Sequence, residues 1–404
     1  MSPGLVVDWG EWINLALRWL HLTAGIAWIG SSFYFVWLDN HLRPPAQGQA
    51  SGELWAVHGG GFYHKQKYLV APAEMPEDLH WFKWEAYFTW ISGFSLLVLI
   101  YWIGAETYLV DPAKARISQW DAIAIAAGAL FVGWAVYDGL CHSPLRKDNR
   151  WLGLIWFGFL VFAAWFLNHV FNSRGAYLHV GAMIGSVMVG NVFFIIIPNQ
   201  RKVVAALMAG EKPDPKLGAA AKLRSVHNNY MTLPVLFIMV SHHYPMTYGA
   251  QYPWAVLALL GATGIAVRHV FNLRHRHAPT GAAIAVAALL ALASVTYVSL
   301  EKAVATPPDP AEGEAPPARL TYAEVQPILA THCTGCHRAV PTDPAVTAPP
   351  LGVVLDSYQA ASAHAAKIKA MAVDSEVMPL GNATGMTRAE RDRLGAWIDQ
   401  GTPP

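Results

Sequence analysis

Residues 333–337 read Cys-Thr-Gly-Cys-His, a run that could do chemistry with little help from the rest of the chain. Cys-x-x-Cys-His is the attachment sequence of a c-type haem. The spacing has a physical reason. Two thiols a helical turn apart reach the two vinyl groups of one porphyrin, and the adjacent imidazole comes under the iron. Cys333 and Cys336 are therefore the expected thioether links, and His337 the proximal iron ligand. A thioredoxin-like redox pair or half a zinc site would leave the histidine unexplained. Cys141 is the one other thiol, so no second pair exists to complete zinc ligation. Met371, Met378, Met386 and His364 compete for the sixth coordination position. Met378 is favoured because EVMPLGNATGMT places it in a Pro- and Gly-rich loop, whereas Met371 lies in a helical run and Met386 beside a helix cap. His/Met ligation raises the reduction potential, so this end of the chain should accept electrons and pass them on.

The elements that must position this motif are of two kinds. Of 404 residues, 54% are hydrophobic and 14% charged, against about 25% charged in soluble domains. The deficit implies a lipid solvent, and the 17 Trp suit a membrane–water boundary. A net charge of +1 argues against a nucleic-acid partner. The start, MSPGLVVDWGE, lacks the basic segment of a cleavable signal peptide. Eight stretches have the roughly 20-residue apolar length of a spanning helix: 12–37, 84–105, 121–140, 151–172, 176–198, 228–243, 253–273 and 280–300. Lys and Arg concentrate in the odd-numbered loops, with only Lys114, Arg116 and Arg174 on the other side. Both termini should then face away from the cytoplasm. The expected architecture is all-α: a polytopic membrane bundle of about eight helices over 1–302, a Pro/Ala-rich linker over 303–319, and a small water-soluble domain over 320–404. In that domain Thr321 with Glu324 and Thr387 with Glu390 form capping-box patterns. Leu394, Trp397 and Ile398 define one apolar helical face.

Ionisable groups inside membrane helices are costly and point to function. His21, His169, His179, His242 and His243 fall toward the outer half of the bundle, where they could hold a b-type haem or simply bridge helices. Toward the inner half lie Glu85, Asn228, Asn229, Arg268, His269 and Asn272. Arg with amide side chains could clamp a small planar anion through forked hydrogen bonds. The long first inner loop carries HGGG at 58–61, which allows a tight turn; without a Gly-x-Ser-x-Gly elbow it does not suggest an esterase. His58 and His64 there, with Arg268 and His269, are candidate substrate contacts. HVFNSR at 169–174 returns as HVFNLR at 269–274, as an inverted repeat would.

Three resemblances follow from these motifs. CxxCH, MPxGN and TxxERxxLxxWIxxG together resemble the class I cytochromes c over 320–404, which in bacteria carry their haem outside the cytoplasmic membrane. The first helix, with His21, Trp28 and Gly30, resembles that of the haem-b membrane proteins related to HemJ-type protoporphyrinogen oxidases. Over the full length, the opening WINLALRWLHLTAGIAWIGSSFYFVWLDNHL, the loop GGGFYHKQKY and the tethered cytochrome look like the bacterial membrane-bound urate oxidases of the PuuD type. That resemblance implies urate hydroxylation to 5-hydroxyisourate, with electrons leaving through the cytochrome to a terminal oxidase or soluble cytochrome and no hydrogen peroxide formed. It implies the bacterial cytoplasmic membrane, with the cytochrome domain periplasmic. Another membrane dehydrogenase, quinol-linked for example, or a solute transporter with an electron-transfer appendage are the alternatives.

Overall fold

The computed structural model describes residues 9–404 apart from 47, 49, 69–71, 73–75, 113, 306–318, 344, 345, 347 and 375. Most of the expected linker lies outside the described residues. All eight apolar stretches are helical. They are α1 (Trp9–His41), α2 (Trp84–Leu97) prolonged by a π-helical turn Val98–Trp102, α4 (Gln119–His142), α5 (Asn149–Val170), α6 (Ser173–Gly190), α8 (Pro215–Ser241), α10 (Pro253–His275) and α11 (Gly281–Ala305). Two short helices, α3 (Ala105–Tyr108) and α9 (Pro245–Tyr248), sit in the connections. α6 runs through a second π-helical turn, Asn191–Ile196, into α7 (Ile197–Met208). Among the described residues, five helices are long and apolar enough to cross a membrane: Gln119–His142, Asn149–Val170, Ser173–Met208, Pro253–His275 and Gly281–Leu300. Ile26, Phe131, Leu154, Phe162 and Leu289 are largely exposed on the outside of the bundle, as lipid-facing side chains are.

Local sequence explains where the helices begin. Ser118 and Asp121 form a reciprocal capping box on α4. Asp148, Asn172 and Asp214 each accept from a backbone N–H in the first turns of α5, α6 and α8. Small residues let the helices close up. Gly133 leaves room for Met183, and a Cβ at Gly93 would lie 2.7 Å from the His21 ring.

The connection between α1 and α2 departs from the all-α expectation. It is an antiparallel hairpin, β1 (Gly52–His58) and β2 (Gly61–Lys67), with Trp55 opposite His64. Gly59 and Gly60 turn it with φ of +57° and +80°, the left-handed pair that a two-residue hairpin turn requires. Lys67 Nζ holds its base to Asp39 of α1 at 2.8 Å.

The C-terminal module has its own core. α12 (Tyr322–His332), α13 (Tyr358–Ala363), α14 (Ala365–Ile368) and α15 (Arg388–Asp399) enclose Val325, Leu329, Leu355, Leu394 and Trp397. Both expected capping boxes form. Trp397 is fully buried, and its indole N–H donates to Pro403 O at 2.8 Å. The module rests on one end of the bundle, where Gly381 meets the α3 segment and Val377 joins the main bundle core. The C-termini of α2 and α5 and the N-termini of α4 and α6 form this docked end. The C-termini of α1 and α10 and the N-termini of α2 and α8 form the far end.

Candidate functional site

The far end holds two adjoining cavities. The larger, about 1040 Å³, is bordered by Asp39, Lys67, Trp81, Asn229, Tyr230 and Asn272 among others. The smaller, about 410 Å³, is lined by Phe33, Tyr34, Trp37, Leu233, Arg268, Phe271 and His275. Between them sits a polar cluster from α8 and α10. Asn229 Oδ1 accepts from Arg268 Nε at 3.0 Å and from Asn272 Nδ2 at 2.9 Å. The Arg268 guanidinium lies 3.9 Å from the centroid of the Phe33 ring of α1, a cation–π stack. Arg268 is 4% exposed, and no carboxylate pairs with it among the described residues. Arg268 Nη2, Asn229 Nδ2 and Asn272 Oδ1 are buried without a partner. Each such atom costs about 1–3 kcal/mol when left unsatisfied. Two donors and one acceptor are thus left free for hydrogen bonding at this cluster.

A second buried network lies on the other face of α8. Tyr137 Oη is 2.8 Å from His227 Nδ1 and accepts from Asn191 Nδ2 at 3.1 Å. Asn191 Nδ2 also donates to Asn228 Oδ1 at 2.8 Å, and Asn191 Oδ1 accepts from Arg224. Arg224 closes the network on Asp138 at 2.5 Å. Here the buried arginine has its counter-ion. Cys141 lies buried beside His227, as an inert thiol.

The structure distributes the expected site residues unevenly. Arg268, Asn229 and Asn272 come together, whereas Asn228 turns into the second network. His269 is exposed and bonds Tyr230 Oη at 2.8 Å. His64 pairs with Glu53 at 2.8 Å and stacks on Trp55, while His58 is exposed at the hairpin tip. Toward the docked end, His21 bridges α1 and α2 by bonding Thr89 O at 2.9 Å. His179, fully buried, bonds Gly175 O at 2.7 Å and accepts from the Trp102 indole at 3.2 Å. His169 is exposed and bonds Trp165 O in its own helix at 2.7 Å. The rings of His242 and His243 lie 3.8 Å apart. Among the described residues, no three His, Cys, Asp or Glu side chains gather as a metal site. The two HVFN hexapeptides take different forms: the first turns the corner from α5 to α6, the second lies within α10. His275 and the Phe33–Trp37 wall escaped the sequence reading. Only their position beside Arg268 marks them.

In the C-terminal module Cys333 and Cys336 are free thiols. Burial pushes both up to about 11, with Asp343 adding to the shift at Cys336. His337 Nδ1 faces Val353 O at 3.0 Å, which orients the ring and leaves Nε2 to a metal. Met386 is consumed by the core at 3% exposure. Met378 is half-buried beside that core, its carbonyl held by Arg391 at 2.7 Å. This donor set, two thiols, a pre-oriented imidazole and a thioether, fits a covalently attached haem.

Compared with known proteins, residues 8–299 match the family model described as "Urate oxidase N-terminal". The match ends before the C-terminal module. No curated protein and no solved structure matches the chain.

Proposed function

Because the chain belongs to the urate oxidase N-terminal family, we propose that it oxidises urate in the far-end cavity and passes the electrons to its own C-terminal module. The observation that carries this reading is the buried Arg268 guanidinium without a carboxylate, flanked by an unpartnered amide N–H and an unpartnered amide carbonyl. Urate is planar and monoanionic at neutral pH, and its edge alternates ring N–H and C=O groups. Arg268 Nη2 and Asn229 Nδ2 donate to its carbonyl and deprotonated-nitrogen positions, and Asn272 Oδ1 accepts from a ring N–H. Tyr34, Trp37 and Phe271 supply the apolar walls.

The reaction proposed is urate plus water to 5-hydroxyisourate, two protons and two electrons. The new C–O bond forms at C5 with water as the oxygen source. His275, which lines the same cavity as Arg268, takes a proton from the attacking water. Such a base contributes about 10²–10⁴-fold. Cys333 and Cys336 would hold haem c covalently, and His337 and Met378 would supply the nitrogen and sulfur that bind its iron. When bound, it supplies a one-electron acceptor of raised potential. Electrons leave for a downstream acceptor such as a terminal oxidase or soluble cytochrome, so no hydrogen peroxide forms. The Lys/Arg asymmetry supports a bacterial cytoplasmic membrane with the far end cytoplasmic and the module periplasmic.

Anaerobic addition of urate to the purified protein tests the proposal. Urate absorbance should fall as the c-haem bands become those of the reduced form. Hydrogen peroxide formed in step with urate loss would overturn the electron route.

A further inference from the structure

The module does not merely hang from the bundle; it is seated on it. Gly381 has a φ of +58°, and a Cβ built on it would lie 2.7 Å from Val110 O and 3.8 Å from Thr107 O. Only a residue without a side chain allows the Met378–Asn382 loop this close to the α3 segment. Val377 packs into the bundle core just before it. The platform beneath is pinned. Leu109 O accepts from Asn172 N at 2.9 Å, and Val110 bridges Phe171. Lys114 Nζ donates to Phe171 O at 3.1 Å and to Ser173 Oγ at 2.7 Å.

Tyr108 lies on the α3 segment two residues before Val110, its carbonyl 3.0 Å from where a Cβ on Gly175 of α6 would stand, and it lies within electrostatic reach of Cys336 and Asp343 across the junction. Behind it the rings form a continuous series into the bundle. Tyr108 and Tyr101 are 6.3 Å apart by centroid, and Tyr101 and His179 5.8 Å. His179 accepts from the Trp102 indole at 3.2 Å. Trp102 meets Phe94 at 5.5 Å, and Phe94 stacks on Trp90 at 5.0 Å. Arg174, whose buried Nε has no partner, lies within electrostatic reach of both tyrosines.

We propose that the junction of the Val377–Asn382 loop with the α3 segment is the electron-transfer interface between bundle and module, and that Tyr108 is its bridging residue. The inference rests on the function proposed above. Each crossing would carry one electron from urate bound in the bundle to a haem held by Cys333, Cys336, His337 and Met378, and two crossings balance the two electrons of one urate. The phenol is not oxidised in passing, because a tyrosyl radical lies far above the potential of a His/Met haem. Tyr108 acts by filling space with a polarisable ring, so the ring matters and the hydroxyl does not.

The test uses the full-length haem-loaded protein and two readouts: hydrogen exchange of the amides at 105–111 and 377–382, and the rate of haem reduction after anaerobic urate addition. In Tyr108→Phe both should stay as in the wild type. Tyr108→Ala should slow urate-driven reduction several-fold while ascorbate reduces the haem at the wild-type rate. Gly381→Asn keeps a residue tolerant of the left-handed conformation but adds the Cβ that strikes Val110 O. It should raise exchange at 105–111 and slow urate-driven reduction, with an unchanged Met–iron absorption band showing that the module is still folded. Unprotected 105–111 amides in the wild type, or wild-type reduction rates in both Tyr108→Ala and Gly381→Asn, would overturn the interface. A wild-type protein whose haem urate never reduces would instead defeat the proposed function, while exchange would still report the docking.

Discussion

The far-end cavity and the C-terminal module place their chemistry in opposite ways. In the module three of the four reactive residues, Cys333, Cys336 and His337, are neighbours in sequence, and His337 and Met378 have their polar contacts made. His337 faces Val353 O, and Arg391 holds Met378 O and Asn382. In the cavity they come from positions 33, 229, 268 and 272 on three helices, and three of their atoms are left bare. The contrast teaches what each task demands. Covalent attachment needs fixed spacing along one chain segment. Reversible capture of a planar anion needs unsatisfied groups held by a scaffold, wherever in the sequence they arise. The two buried arginines of the bundle repeat the lesson: Arg224 is neutralised by Asp138 and reads as structure, whereas Arg268 is not.

The largest expected effect breaks the module's side of the comparison. Cys333→Ala with Cys336→Ala should abolish the covalent haem, seen as loss of haem staining on a denaturing gel, and with it urate-driven electron release. Trp397→Ala should destabilise the module by about 3–5 kcal/mol, measured as a lower melting temperature of the haem signal with the bundle's transition unmoved. On the cavity's side, Arg268→Gln should lower kcat/KM for urate by about 2–3 kcal/mol, roughly 30- to 150-fold. It should not lower thermal stability, since it removes an unpaired buried charge. Asn272→Asp sharpens the same point. The new carboxylate would pair with Arg268, weaken urate binding in a direct titration and raise the melting temperature.

The smallest effect concerns acid. Hydrogen bonds from the Thr387 side chain and backbone, and then from His332, hold Glu390 down from the ordinary 4.5 to about 2. A depressed carboxylate stabilises the fold above its unfolded pKa, and that contribution is lost as pH falls from about 4.5 toward 2. Glu390→Gln should therefore flatten the module's loss of stability across that window in an acid titration followed by circular dichroism.

Much of this was legible in the residues, and the exceptions have physical causes. The eight apolar stretches became helices because a helix satisfies its own backbone whatever surrounds it. Ser118, Thr321 and Thr387 start helices because capping depends on residues three apart. The hairpin at 52–67 was signalled by two glycines between strand-like runs, yet long-range prediction of helices in a greasy chain obscured it. Arg268, Asn229 and Asn272 could be named as polar intruders on the inner side, but Asn228 could not be told from Asn229. The two differ only by the 100° that separates successive side chains around α8, and packing alone decided which one faces α10.

By itself, then, the amino-acid order determined the membrane character, the Cys-x-x-Cys-His spacing on which the haem proposal rests and the start of most helices, because each depends on local composition or on spacing within a few residues. Only the tertiary structure decided that Arg268 lacks a counter-ion, that His275 shares its cavity, and that Gly381 seats the module on Val110. Those facts depend on which helix faces which, a matter settled by close packing between separate helices, and no local pattern records it.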